Sequence, residues 1–66
     1  MLKTKEDYKI PYLDRYIPKD TEVHIIGATN DLFLKVVINK LPKTIKKGSV
    51  ESNDVWCISE SLLTTN

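Results

Sequence analysis

The sequence predicts a small, mainly β protein, built as a five-stranded barrel with an N-terminal arm or short helix. Val23 and Ile25 alternate with Glu22 and His24 in residues 22–28, and apolar residues occupy every second position from Leu32 to Ile38 in residues 32–39, which is the period of a strand. Residues 55–58 form a further compact run of β-prone side chains. The chain has 66 residues, so we expect these strands to belong to one small domain over residues 1–66.

The N-terminal arm covers residues 1–17 in this prediction. Residues 1–9 are mixed in charge and lack a sustained apolar pattern, so we expect fraying as far as Lys5. Pro11 suits the first turn of a helix, and a short helix over residues 11–16 would be closed by Pro18. An irregular extended arm is the alternative, because so short a helix is not stable without packing.

A β-hairpin is predicted next. Residues 18–21 have the composition of a tight turn, and the first strand covers residues 22–28. Residues 29–31 tolerate turn conformations, and the second strand covers residues 32–39. Phe33 and Val37 give this second strand apolar groups on both faces, which suits either a central strand or one whose second face meets a partner.

Residues 40–54 contain Pro42, Gly48 and a cluster of lysines, so we expect mostly loop, with brief pairing at residues 44–45 or 49–50. Loops of this length in so small a domain are functional or mobile. The β-prone run at residues 55–58 follows, and Ser59 is placed to cap a single helical or 3₁₀ turn before Leu62 and Leu63.

This order of elements resembles the Src-homology-3-like small barrel of bacterial type, over residues 18–63. The matching pieces are the Lys-Asp-Thr-Glu-Val sequence at residues 19–23, the strand at residues 32–38, and the late aromatic strand that leads through a turn into Leu62 and Leu63. The resemblance implies the five-stranded barrel. Members of that family commonly bind proline-rich peptides in an acidic, aromatic-lined first loop, whereas here the tyrosines precede the barrel and the long loop is basic.

Cysteine usage and hydropathy exclude two classes of protein. The single cysteine, Cys57, cannot form an intramolecular disulfide, which excludes a cysteine-stapled secreted scaffold. No apolar region follows the lysine-bearing residues 1–8, and no segment approaches the roughly 18 to 20 apolar residues that span a bilayer. We therefore expect a cytoplasmic protein with no membrane partner.

The net charge of +1 conceals a segregation of charge along the chain. Five of the ten basic residues are lysines within residues 35–47, which contain no acidic residue. The remainder therefore holds five basic and nine acidic groups, or −4. Such a separation steers the encounter with a charged partner and fixes its orientation.

Residues able to perform catalysis are few. His24 is the single histidine and Cys57 the single thiol, and they lie on separate predicted strands, so they could meet only if those strands are neighbours. Flanked by Trp56 and Ile58, Cys57 is expected to be a small buried apolar residue. One histidine and one cysteine do not supply the ligands of a zinc site. We expect no enzymatic activity, no metal and no cofactor.

Two features point to binding. The lysine loop would attract an acidic protein or, beside Trp56 or Phe33, a single-stranded nucleic acid; a merely solvated loop is the alternative. Tyr8, Tyr12 and Tyr16 are spaced by four residues and would form one stripe on a helix, either contacting a partner or packing as a lid on the barrel.

We therefore expect a non-enzymatic, protein-binding module that occupies a site on a larger partner, through an acidic patch of that partner. A module of this size also fits a phage-type inhibitor or regulator of a host enzyme. A small barrel that binds single-stranded nucleic acid and a dimeric structural component, formed through the tyrosines, Phe33 and Val37, are the alternatives. The candidate partner-binding residues are Lys40, Lys43, Lys46, Lys47, Phe33, Trp56, Tyr12 and Tyr16.

Overall fold

The computed structural model describes residues 2–30 and 32–65, and within them seven strands form two antiparallel sheets. The larger sheet has the strand order β6-β5-β4-β1-β7, and the smaller sheet pairs β2 with β3. The bounds are β1 Leu2–Thr4, β2 Tyr8–Lys9, β3 Tyr16–Ile17, β4 Glu22–Asn30, β5 Phe33–Lys40, β6 Val55–Ser59 and β7 Leu63–Thr65, with a 3₁₀ helix at Glu60–Leu62.

The prediction of a mainly β fold is confirmed. The five strands of the larger sheet do not close into a ring, because β6 and β7 are its two edges and are not paired with each other in the described part of the chain. The five-stranded barrel of the prediction is therefore not confirmed. No helix among the described residues is long and apolar enough to cross a bilayer.

The predicted hairpin is confirmed as β4 and β5. Val23 lies opposite Ile38, and His24 lies opposite Val37. The register shifts at three places along β4, including one between Ile25 and Gly27, and such irregularities bend a strand. Residue 31 of the predicted turn lies outside the described residues.

The N-terminus is not frayed where the structure describes it. Strand β1 lies inside the larger sheet, between β4 and β7, so residues 2–4 are ordered and the expected fraying to Lys5 is wrong for them. Met1 lies outside the described residues. Thr4 is fully buried. Its hydroxyl donates to the Pro18 carbonyl at 2.6 Å and accepts from the Thr21 N–H at 3.1 Å. These contacts, with partners 14 and 17 residues away, order a segment that has no apolar pattern of its own.

The predicted helix over residues 11–16 is wrong, and so is the alternative of an irregular extended arm, because β2 and β3 form a hairpin. Residues 11–15 form the turn of the β2–β3 hairpin, and Tyr16 begins β3. Tyr8 lies opposite Ile17, and the Ile10 N–H donates to the Arg15 carbonyl at 3.0 Å. Tyr12 has a φ of 66°, which is incompatible with a right-handed helix. The hairpin satisfies the backbone of this segment across its two short strands, whereas a single helical turn would leave most groups unpaired.

One apolar core joins the two sheets and the long loop. Ile17, Ile38 and Ile58 are fully buried at its centre, and Val50 anchors the loop to it. Since Ile17 belongs to β3, the small sheet packs on the same core as the large one. The buried apolar residues are Ile10, Ile17, Val23, Val36, Ile38, Val50, Ile58 and Leu62.

The C-terminal elements follow the prediction closely. Ser59 has an extended backbone and caps the 3₁₀ helix, since its hydroxyl accepts from the Ser61 N–H at 3.3 Å. Between β5 and β6 the chain is mostly loop, as predicted, and Ser49 forms one isolated parallel bridge with Tyr16. The brief pairing expected at residues 49–50 is therefore confirmed at Ser49, while residues 44–45 carry no strand.

Candidate functional site

The end of the lysine loop is fixed to the β2–β3 hairpin through Tyr16. The Tyr16 N–H donates to the Gly48 carbonyl, and the Val50 N–H donates to the Tyr16 carbonyl, both at 3.0 Å. The Tyr16 hydroxyl accepts from the Lys46 N–H at 2.6 Å and donates to the Lys46 carbonyl at 3.3 Å. One side chain and its backbone therefore hold residues 46–50, so this part of the loop is not a freely solvated segment.

Gly48 supplies a backbone conformation that the loop adopts beside the hairpin. Its φ of +95° lies in the left-handed region, which side chains disfavour. A Cβ atom at this position would lie 3.4 Å from the Asp14 carbonyl oxygen. That distance is an ordinary van der Waals contact, so the glycine is required by the backbone conformation and not by lack of space.

A cleft of about 380 Å³ lies between the hairpin and the loop. Four cations and two carboxylates line it, giving a formal charge of +2, and we call it the basic cleft. An adjoining depression of about 550 Å³ shares Asp14, Arg15, Lys47 and Gly48 with it and adds Ser49. The residues of the basic cleft are Asp7, Lys9, Asp14, Arg15, Tyr16, Lys46, Lys47 and Gly48.

The turn of the hairpin presents an exposed apolar tip beside the basic cleft. We define the hairpin tip as residues 11–14. Tyr12 is fully exposed, with a relative accessibility of 105%, and Leu13 is 47% exposed. A left-handed backbone costs a non-glycine residue roughly 1–2 kcal/mol, and Tyr12 adopts it. Tyrosine is enriched at protein–protein interfaces.

The three tyrosines do not form a stripe, because the hairpin reverses the chain between them. Tyr8 packs against the core and Tyr16 is half-buried, whereas Tyr12 points into solvent. Tyr8 therefore contributes to the core and Tyr16 holds the loop, while Tyr12 is the tyrosine that is free to contact a partner.

The predicted lysines divide between two places. Lys46 and Lys47 line the basic cleft. Lys40 and Lys43 line a separate depression of about 350 Å³ together with Lys3, and the two share no lining residue. The lysine loop is thus not one continuous basic surface.

The two predicted aromatics lie in neither place. Phe33 is 39% exposed, opposite Ser59 in the sheet. Trp56 lies opposite the buried Val36, and it is half-buried against the core. Its indole Nε1 is buried and has no hydrogen-bond partner within the described residues. The structure therefore does not place these rings beside the lysines of the basic cleft.

Cys57 is exposed, so the expectation that it is a buried apolar residue is wrong. Alternation along β6 directs Trp56 and Ile58 to the core and Cys57 to the opposite face. His24 and Cys57 do not lie on neighbouring strands, because β5 separates β4 from β6. Across residues 2–30 and 32–65, no group of three or more His, Cys, Asp or Glu residues is placed to hold a metal ion.

No family model matches the chain, and no curated protein or solved structure shows significant similarity to it. Lys9, Arg15 and the two aspartates of the basic cleft were not among the predicted residues. The sequence offers little to identify them, because they lie in a mixed-charge segment and come together only when β2 and β3 pair as a hairpin.

Proposed function

We propose that the chain is a non-enzymatic, protein-binding module. Its basic cleft and hairpin tip would receive a segment of a larger protein that carries acidic side chains next to an apolar one. The observation that supports this most is the attachment of residues 46–48 to Tyr16, which holds two lysines beside the cations of the hairpin.

The charge of the site favours an acidic partner. Lys9, Arg15, Lys46 and Lys47 surround a groove that also contains two aspartates. Arg15 offers a planar fork of donors that matches a carboxylate, while the lysines act as point charges. The aspartates favour a partner with separated carboxylates over a uniformly anionic one, because each of them repels a nearby negative group.

The fixed loop lowers the cost of binding. Ordering a flexible backbone on association costs free energy, and side chains on a loop that is already hydrogen-bonded avoid part of that cost. The Lys46 N–H bond to the Tyr16 hydroxyl, at 2.6 Å, is such a preformed contact.

Tyr12 and Leu13 would supply the apolar part of the interface. A few aromatic or arginine anchors carry most of the binding energy at protein interfaces. Tyr12 has its whole side chain available, and it adjoins Asp14 and Arg15 of the basic cleft. A module of this kind acts by occupancy, so inhibition or regulation of a host enzyme, as by a phage protein, is the role we propose for it.

We also propose that the fold is an open variant of the Src-homology-3-like small barrel. The support is the order of elements. The β2–β3 hairpin lies between β1 and β4 in the chain, the long β4–β5 hairpin follows, and a 3₁₀ helix joins β6 to β7. A measured structure with β6 and β7 remote from one another, and no curvature of β4 towards β1, would contradict this assignment.

The binding proposal can be tested by selection from a displayed library of random 16-residue peptides. We expect enrichment of peptides with acidic residues next to an aromatic or aliphatic one. For a selected peptide, Lys46→Glu with Lys47→Glu should weaken binding by at least about tenfold, as should Tyr12→Ala.

The matched control is Lys40→Glu with Lys43→Glu, which makes the same change of charge in the same loop but away from the basic cleft. Equal losses in both double variants would show that overall charge, not the cleft, attracts the peptide. Failure to enrich any acidic sequence would contradict the proposal. Tighter binding of a labelled oligothymidylate, falling steeply between about 50 and 200 mM salt, would favour the nucleic-acid alternative.

A further inference from the structure

Strand β6 forms an unprotected edge of the larger sheet. It is the terminal strand in the order β6-β5-β4-β1-β7 and pairs only with β5 in the described part of the chain. Exposed edges of this kind are normally blocked by lysine, proline, a bulge or an inward-pointing charge. The sequence Val-Trp-Cys-Ile-Ser of β6 has none of these residues, and its register against β5 runs without a shift.

The backbone groups that face this edge can be assigned from the hydrogen bonds at the two ends of the β5–β6 pair. The Ile38 N–H donates to the Asp54 carbonyl at 2.8 Å, and the Glu60 N–H donates to the Leu32 carbonyl at 3.1 Å. Bonded residues alternate along an antiparallel ladder, so Trp56 and Ile58 bond to β5. The N–H groups of Val55, Cys57 and Ser59, and the carbonyls of Val55 and Cys57, therefore point out of the sheet.

We propose that two copies of this chain pair through β6, antiparallel about a twofold axis at Cys57. Cys57 is the middle residue of the five, so this register places it opposite Cys57 of the second copy and places Val55 opposite Ser59. The two Cys57 residues exchange two N–H···O bonds, and each Ser59 N–H donates to the Val55 carbonyl of the other copy. The two five-stranded sheets then become one.

The side chains of β6 favour a second copy as the occupant of this edge. In the twofold register, Trp56 faces Ile58 on the core side, and Val55, 47% exposed, lies beside Ser59 on the other side. No charged side chain in β6 opposes its own copy. The nearest charges are Asp54 and Glu60, which flank β6 and lie opposite one another in this register, so one like-charge pair at each end of the ladder opposes the pairing. Lys35 lies opposite Cys57 on β5. The two Lys35 residues would be three strand spacings apart, roughly 14 Å, which exceeds the screening length of about 8 Å at physiological ionic strength.

Pairing through β6 would make the module bivalent. None of the residues of β6 lines the basic cleft, so both clefts stay open in the dimer. Two linked sites raise the apparent affinity for a partner that presents two copies of its own segment. A five-residue contact is small, so we expect self-association to be weak and dependent on concentration.

Sedimentation equilibrium from about 10 μM to about 1 mM tests the pairing. The wild-type chain and Cys57→Ser should approach twice the monomer mass at the high end. Cys57→Lys places two like charges opposite each other on the axis, and it should raise the dimer dissociation constant about fivefold or more. His24→Lys is the control: it adds a similar charge at an exposed position of β4, away from β6, and should dimerise as the wild type does.

A wild-type chain that stays monomeric at the highest concentration would overturn the proposal, as would Cys57→Lys dimerising as tightly as the wild type. A second measurement needs no variant. On raising the concentration of ¹⁵N-labelled wild-type protein, the amide signals of Val55, Cys57 and Ser59 should shift, while those of Trp56 and Ile58 shift much less. The opposite pattern, or shifts confined to the hairpin tip, would also overturn pairing through β6.

Discussion

The Tyr16 hydroxyl is the contact whose removal tests the architecture of the site most sharply. Tyr16→Phe keeps the half-buried ring and removes the acceptor of the Lys46 N–H, at 2.6 Å, together with the donor to the Lys46 carbonyl, at 3.3 Å. The backbone bonds of Tyr16 to Gly48 and Val50 remain. We therefore expect the loop to loosen at residue 46 while β3 keeps its place.

The size of the effect follows from those two bonds. A hydrogen bond contributes about 0.5–1.5 kcal/mol net, and both of these lie at an exposed position, the longer one being weak. The sum is on the order of 1 kcal/mol, which corresponds to about a fivefold change in the local opening equilibrium. Amide hydrogen exchange measured by NMR should show the Lys46 N–H exchanging about fivefold faster.

Tyr12→Phe is the matched control for this experiment. It removes the same hydroxyl from a side chain that is fully exposed, so the exchange rate of the Lys46 amide should not change. Unchanged exchange at Lys46 in Tyr16→Phe would refute the argument that this hydroxyl holds the loop. The same increase in both variants would refute it equally, because it would show a general loosening of the hairpin.

Two further predictions concern the attachment of β1 and the conformation of the loop. Thr4→Val leaves the Thr21 N–H buried without its acceptor and should lower the free energy of unfolding by about 1–3 kcal/mol. Thr21→Val removes one of the two hydroxyls that donate to the Pro18 carbonyl, and it should lower the free energy of unfolding by only about 0.5–1.5 kcal/mol. Urea unfolding followed by tryptophan fluorescence measures both, and the reverse order would contradict the account of β1. Gly48→Ala should lower the unfolding free energy by about 1–2 kcal/mol, since its φ is +95°; an unchanged midpoint in the same assay would contradict it.

The elements that the sequence predicted correctly are those with a local signal. The β4–β5 hairpin follows from β-prone runs with apolar residues at every second position, and the 3₁₀ helix follows from Ser59 as its cap. Strand β1 has no such signal, because its order comes from β4 and β7 and from the buried hydroxyl of Thr4. Its pairing depends on residues that are remote in the chain, which periodicity does not detect.

The segment before β4 shows how a local pattern misleads. Pro11 and the spacing of the tyrosines suit a helix, yet two short strands bury Ile10 and Ile17 and reverse the chain between them. The error over Cys57 has another origin. Its residue type and its apolar neighbours Trp56 and Ile58 suggest burial, whereas alternation along a strand puts Cys57 on the face of β6 opposite theirs.

The basic cleft could be predicted only in part for the same reason. Lys46 and Lys47 stood out in the sequence as a run of charge. Their attachment to Tyr16 spans 30 residues and their grouping with Arg15 depends on the hairpin, so no spacing rule joins them. Lys40 and Lys43 belong to the same charge run, but the fold carries them to another depression.

An NMR titration of the ¹⁵N-labelled chain with a selected acidic peptide shows directly whether the basic cleft and the hairpin tip form the binding site. Binding in the basic cleft and at the hairpin tip predicts the largest amide shifts at Tyr12, Arg15, Lys46 and Lys47, with saturation as the peptide is added. Shifts centred on Lys40 and Lys43 instead, or no saturable shifts at any residue, would contradict it.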